Sequence, residues 1–243
     1  MSGIAEDYWL TSDAIYGVPT KWWVDMVCKN RAVIISGGEI RDYSYIKSLI
    51  KETDLVICAD SGYDHALKMG ITPDFVVGDF DSAQNVPPKE ITLTFPSKKD
   101  FTDTELALET ARERGFKNML FLAATGNRID HSLANVLLLK SCAEREETAS
   151  IVNENNAAFL IERRTNKKPE VRKNIKLAVE VAQVVSLLPL ENCEGVTTQN
   201  LEYALTNATL RVGTTRGISN VATSNFINVS IESGCLLVVL AKD

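Results

Sequence analysis

Phe75-Val76-Val77-Gly78-Asp79-Phe80-Asp81-Ser82 is a short apolar run that breaks into a glycine and two carboxylates. Read as a buried strand, Phe75–Val77 delivers both acidic side chains to its carboxyl end, where ligands of open α/β sheets bind. Two carboxylates so close repel each other unless a cation or proton lies between them. Hard oxygen donors suit Mg²⁺ bridged to phosphate. The stretch therefore predicts a metal-dependent enzyme acting on a phosphorylated compound.

The same grammar repeats on either side. Ala32–Ile35 reads as a strand, followed by Ser36-Gly37-Gly38 and a helix with Tyr45, Ile46, Leu49 and Ile50 inward. Leu55–Ala59 is a second strand, ending at Asp60-Ser61-Gly62 before a helix to about Met69. Ile91–Phe95 and Met119–Leu122 read as further strands, with helices over about 103–114 and 129–143. Apolar runs alternating with amphipathic helices predict repeated βα units and a mostly parallel, doubly wound sheet. Beyond about residue 150 the period changes. Val184–Leu188, Ala208–Val212, Phe226–Glu232 and Cys235–Leu240 are short runs bounded by Asn, Gly or Pro. Strands at roughly ten-residue spacing predict a small all-β sandwich. The expected fold class is α/β plus all-β, with an α/β domain over 31–152 and a β-sandwich over 153–243. An extension over 1–30 carries all three tryptophans (Trp9, Trp22, Trp23) and is assigned no role.

Composition narrows the function classes. A chain of 243 residues that is 45% hydrophobic can bury one large core or two modest ones. A net charge of −6 disfavours nucleic acid and anionic membranes as partners. The basic cluster Arg163, Arg164, Lys167, Lys168, Arg172, Lys173 and Lys176 surrounds Pro169 and reads as a solvated turn. Five scattered cysteines without a CxxC pair argue against disulfides and zinc. No run is long enough to span a membrane, and the start lacks a basic-then-apolar signal layout, so the expected location is the cytoplasm. No GxxxxGK[ST] occurs, which excludes a P-loop kinase.

In a parallel sheet the strand ends gather on one edge. Ser36-Gly37-Gly38 can present backbone N–H groups to phosphate, although any βα turn needs glycine. Asp60-Ser61-Gly62 reads equally as a helix cap. Thr102 and Glu105 form a capping-box pattern that puts Asp103 at the first helical position. Asp103 then shares the buried face of Leu106, Ala107, Thr110 and Ala111, and a cation held jointly with Asp79 and Asp81 supplies the partner it needs there. Lys98 or Lys99 can neutralise phosphate, and Arg128 suits it by geometry. In the last helix, Ile129, Leu133, Val136 and Leu137 are expected to form the buried stripe, with Arg128, His131 and Asn135 on another face. A haloacid-dehalogenase-like phosphatase fits less well, because its DxD follows the first strand. A DxD nucleotide-sugar transferase stays open on spacing alone.

Taken in order, the elements resemble the thiamine pyrophosphokinases of the bacterial type. The matching pieces are Ala59-Asp60-Ser61-Gly62, Pro73-Asp74, Gly78–Ser82, Lys99–Glu105, Gly126–His131 with Asn135, and Gly217-Ile218-Ser219-Asn220. They cover the chain from about residue 31 onward, and their combination is more specific than any one of them. The resemblance implies Mg²⁺-dependent transfer of pyrophosphate from ATP to thiamine, in a homodimer with thiamine sites between subunits. It also implies Mg²⁺ on Asp79, Asp81 and Asp103, with Asp60 and Asp100 nearby and Asp100 in the catalytic set. ATP contacts are implied at Ser36, Gly37, Gly38, Asp60, Ser61, Gly62, Lys99, Thr102 and Arg128. Thiamine contacts are implied at Asp130, His131, Asn135, Ser219 and Asn220. Two departures stand out: Gly126-Asn127-Arg128 replaces the usual Gly-Gly-Arg, and Val221 follows Ser219-Asn220 where relatives often carry an acid. The rival readings are a Mg²⁺-dependent nucleotidyl- or glycosyl-transferase and a non-catalytic thiamine or nucleotide binder.

Overall fold

The computed structural model describes residues 30–79, 84–95, 100–163 and 174–242. The aromatic extension, Asp81, Lys98, Lys99 and most of the basic cluster lie outside them. The described chain divides into two compact units, one ending at Leu160 and the other starting at Ile161.

The first unit is built of βα repeats. Its strands are β1 (Ala32–Ile35), β2 (Leu55–Ala59), β3 (Phe75–Gly78), β4 (Thr92–Thr94), β5 (Asn118–Leu122) and β6 (Thr148–Val152), with β7 (Asn156–Arg163) crossing the division. Its helices are α1 (Tyr43–Ser48), α2 (Gly62–Met69), α3 (Asp103–Glu113) and α4 (Ile129–Glu144). The strand order is β7-β6-β5-β1-β2-β3-β4. All neighbours from β6 to β4 are parallel, and β7 alone runs antiparallel, on β6. β1 and β5 are buried along their whole length, as strands covered by helices on both faces must be. The chain winds outward from β1 to β4, then returns to place β5 on the other side of β1. That reversal opens a crevice at the carboxyl ends of β1 and β5.

Local chemistry sets the helix starts. Asp42 caps α1 by accepting the Tyr45 N–H at 2.9 Å, and Thr102 caps α3 by accepting the Glu105 N–H at 3.2 Å. Asp103 is thus the first residue of α3, and Leu106, Ala107, Thr110 and Ala111 are buried below it. α2 sits so close to β1 that a Cβ at Gly62 would collide with the Ile35 carbonyl oxygen.

α4 corrects the sequence reading. Ile129, Leu133 and Leu137 are 73%, 58% and 57% exposed, and Val136 is half-buried. The inward face is Asn135, Leu138, Leu139 and Cys142. Apolar residues occur on nearly every side of this helix, so two stripes of helical period compete, and periodicity cannot say which one meets the sheet.

The second unit is antiparallel. β9 (Val184–Pro189) pairs with β14 (Gly234–Ala241) and with the two-residue β12 (Asn220–Val221). A second sheet runs β11-β10-β13-β8, from Ala208–Leu210, Cys193–Gln199, Phe226–Ser230 and Asn174–Ala178. Ile227 and Val229 point inward while Phe226, Asn228 and Ser230 stay half-exposed, the alternation of a sheet with one wet face. Val185, Leu187, Val196, Leu236 and Val238 are among the other buried residues of this core. Among the described residues no helix is long and apolar enough to cross a membrane.

Candidate active site

Ser36 to Glu39 leave β1 and lie directly on the chain leaving β5. Ser36 N–H donates to the Leu122 carbonyl at 2.9 Å, Gly38 N–H to that of Ala123 at 2.7 Å, and Glu39 N–H to that of Thr125 at 2.9 Å. A Cβ at Gly38 would collide with the carbonyl oxygens of Ala123 and Thr125, so only glycine permits this approach. Ser36 is further tied to Thr104 on α3 through their hydroxyls, 3.0 Å apart.

Around this junction lies a cleft of about 580 Å³, a size that suits a small-molecule substrate. Ser36, Gly37, Gly38, Asp60, Ser61, Thr102, Asp103, Arg128, His131 and Asn135 all line it. Gly62 follows Ser61 as the first residue of α2. Asp79 is half-buried, directly after β3 and outside the lining; Asp100 is exposed, two positions before the cap of α3. Ser219 and Asn220 belong to the second unit.

Two residues of the cleft wall hold left-handed backbone without being glycine: Asp60 at φ 47° and Ala123 at φ 50°. Such conformations cost energy and gather where a site needs a particular direction of chain. Asp60 has one buried carboxylate oxygen, Oδ1, with no hydrogen-bond partner among the described residues. A buried oxygen of that kind is costly unless a cation or donor reaches it. Ser61 stands at the N-cap of α2, yet its side chain caps nothing. The helix-cap reading of Asp60-Ser61 therefore fails, and the pair is left to the cleft.

The opening of α4 is exposed, with Arg128 and Asp130 flanking Ile129. The Arg128 guanidinium donates to Asp130 at 2.9 and 2.6 Å, which holds the Asp130 carboxyl well below the usual carboxylate range. Ser132 secures the turn by accepting the Gly126 N–H at 3.2 Å and donating to the Arg128 carbonyl at 3.0 Å. Asn135 is buried and donates to the Ala124 carbonyl at 2.7 Å, so its position at the cleft is fixed. In the second unit Asn220 is buried and spends its amide on the backbone of Tyr203, while Ser219, at φ 57°, stays exposed.

Sequence reading passed over Thr104 and the Ala123–Thr125 segment. Both were detectable only weakly: Ala123-Ala124 prolong the apolar run of β5 without a break, and Thr104 sits inside a helix. Among the described residues no three acidic, His or Cys side chains form a ready metal-ligand cluster, and Asp81 is not one of those residues.

Comparison with known proteins gives a consistent picture. The family model described as "Thiamin pyrophosphokinase, catalytic domain" matches residues 46–152, and "Thiamin pyrophosphokinase, vitamin B1 binding domain" matches 172–236. Thiamine pyrophosphokinase of Bacillus subtilis (strain 168) is 26% identical over 224 residues, 86% of this chain and 98% of the relative. The fold resembles the crystal structure of the Bacillus subtilis enzyme with a TM-score of 0.74 at 24% identity, covering 88% of this chain and all of that one. It also resembles yeast thiamin pyrophosphokinase, with a TM-score of 0.63 at 15% identity over 88% of this chain and 87% of that one. Two domain models of one family, in order along the chain and together spanning most of it, lead to one conclusion: this chain belongs to the thiamin pyrophosphokinase family.

Proposed function

We propose that the protein transfers the pyrophosphoryl group of ATP to the hydroxyl of thiamine, giving thiamine diphosphate and AMP. The observation that carries this reading is the cleft at the β1/β5 reversal, where the glycine loop after β1 meets Asp60, Asp103 and Arg128, the last three within the segment matched by the catalytic-domain model. The α/β part, 31–152, takes the nucleotide, and the β part, 153–243, takes the vitamin, in keeping with the vitamin B1 binding model over 172–236.

Phosphoryl-type transfer depends mostly on positioning and charge neutralisation. Within the Ser36-Gly37-Gly38 loop the N–H groups of Ser36 and Gly38 are spent on Leu122 and Ala123, so the phosphate chain meets the loop at Gly37, with Asp60, Ser61, Gly62 and Thr102 shaping the walls. Arg128 exchanges its exposed partner Asp130 for a phosphate oxygen, which a planar guanidinium binds with two parallel bonds. Lys99 adds a second positive charge. Asp100 receives the proton as the thiamine hydroxyl attacks the β-phosphorus in line and AMP departs. Thiamine contacts are assigned to Asp130, His131 and Asn135 and, within the segment matched by the vitamin B1 binding model, to Ser219 and Asn220, where Asn220 also fixes its own loop through Tyr203.

Asp79, Asp81 and Asp103 would hold Mg²⁺, and the unpartnered oxygen of Asp60 fits a place beside it. The ion supplies charge neutralisation at the phosphate oxygens. The assembly is a homodimer: the exposed apolar stripe Ile129, Leu133 and Leu137 is the kind of surface a subunit contact covers.

The test is incubation with ATP, thiamine and Mg²⁺. AMP and thiamine diphosphate should form one for one, and Asp79→Asn and Asp103→Asn, which keep the side-chain shape and remove only the charge, should each abolish turnover while leaving the melting temperature within about 4 °C. AMP release without thiamine, or near-normal rates in both variants, would overturn the reading.

A further inference from the structure

His65 grips the glycine loop from outside the cleft. It lies half-buried on α2, and its ring spans the connection between β1 and α1. Nε2 is 2.8 Å from the Gly38 carbonyl oxygen, at the loop, and Nδ1 is 2.9 Å from the hydroxyl of Tyr43, the first residue of α1. A carbonyl oxygen only accepts, so Nε2 must carry the hydrogen; in the neutral ring Nδ1 then accepts from the Tyr43 hydroxyl. The two bonds thus fix the tautomer. Burial pushes the imidazole below its usual value, against the pull of the Gly38 carbonyl, so the neutral form suits the site. The Tyr43 and His65 rings also touch, with centroids 5.8 Å apart.

The consequence concerns the peptide group between Gly38 and Glu39. Its oxygen is held by His65, and its N–H by the Thr125 carbonyl at 2.9 Å. The preceding peptide is held through Gly38 N–H to Ala123. The N–H groups of Ser36, Gly38 and Glu39 are thus spent on the β5 side; with the peptides on either side of Gly38 pinned, the course of the chain at Gly37, whose N–H is the loop donor left for an anion, is set before any ligand arrives.

We propose that His65 is a positioning residue for ATP, acting through the Gly38 carbonyl to hold the phosphate-binding loop in its competent orientation. The inference rests on the reading of this cleft as the ATP site. His65→Ala should raise the KM for ATP about tenfold, the effect of losing one good hydrogen bond, with the KM for thiamine changed less than about twofold. Glutamine places an amide N–H where Nε2 stands, so His65→Gln should recover the ATP KM to within about threefold of wild type. Asparagine reaches only the Nδ1 position, so His65→Asn should not recover it. Tyr43→Phe, which removes the bond to Nδ1 and keeps the ring, should raise the ATP KM by a smaller factor.

An ATP KM within twofold of wild type in His65→Ala would overturn the proposal. So would equal behaviour of the Gln and Asn variants, or a common rise in both KM values. If His65→Ala fails to fold, the Gln and Asn pair decides. Absence of thiamine-dependent AMP release by the wild type would remove the reading of the cleft and this inference with it. AMP release with an ATP KM indifferent to His65 removes the inference alone.

Discussion

Replacing Asp64 by alanine removes one carboxylate that serves three donors. Oδ2 accepts the Gln84 N–H at 2.8 Å, and Oδ1 accepts the Asn85 N–H at 3.1 Å and the Asn85 side-chain amide at 2.6 Å. Asp64 is buried on α2, whereas Gln84 and Asn85 are exposed and follow the 80–83 segment that contains Asp81. A hydrogen bond to a charged acceptor contributes about 1.5–3 kcal/mol. Here water can take over the exposed donors, and the three bonds share one acceptor, so their effects do not add. The expected loss is about 2–3 kcal/mol for Asp64→Ala, and about half that for Asp64→Asn, which keeps an acceptor oxygen but not the charge. For a chain of this length that is a fall of about 4–12 °C in Tm.

The effect also has a pH signature. Burial by itself would raise the Asp64 carboxyl, but the bonds from Asn85 and Gln84 and the nearby Lys68 outweigh it and hold the group below its usual range. A carboxyl depressed in the folded state adds stability above its unfolded value, near 3.9, and loses it as pH falls through the folded value. The gap between wild type and Asp64→Ala should therefore be full at pH 7 and shrink below about pH 4. Thermal unfolding followed by circular dichroism at both ends of that range measures it. Melting temperatures within about 1 °C at pH 7, or a gap that persists in acid, would refute the reasoning.

Two further outcomes follow from the same geometry. Arg31 and Asp54 form a buried ion pair, 5% and 3% exposed, and Arg31 also donates to the Leu49 carbonyl at 2.7 Å. Asp54→Ala strands a buried guanidinium and should cost about 3–5 kcal/mol in urea unfolding; a cost below about 1 kcal/mol would contradict the burial. On α4, Leu133→Glu with Leu137→Glu alters only exposed side chains. The pair should leave the Tm within about 3 °C but convert a dimer to a monomer in sedimentation, and an unchanged oligomeric state would remove this stripe from the proposed interface.

Much of the first unit was legible residue by residue. The βα alternation, the cap at Thr102 and the inward face of α3 all follow from neighbours within a few positions, where period and capping act. α4 was placed correctly along the chain, but its inward face was not legible, because its apolar residues satisfy two stripes equally well. β10 and β12 escaped for a related reason. Cys193–Gln199 is too polar to stand out, and Asn220–Val221 becomes a strand only because β9 lies beside it. In the site, the acids and glycines at strand ends announced themselves by type. The backbone strain at Asp60 and Ala123, and the loss of Ser61 as a cap, did not.

By itself the sequence determined the strands and helices of the α/β part, that their ends carry glycine, carboxylate and arginine, and hence that phosphate chemistry belongs at one edge of a sheet. Only the tertiary structure decided that β5 returns beside β1, so that Ser36–Glu39 bonds to Ala123–Thr125 and the cleft opens between them. The reason is physical: period and capping are local interactions, whereas strand order is settled by pairing between segments some ninety residues apart, where many partners compete and only the packed whole selects one.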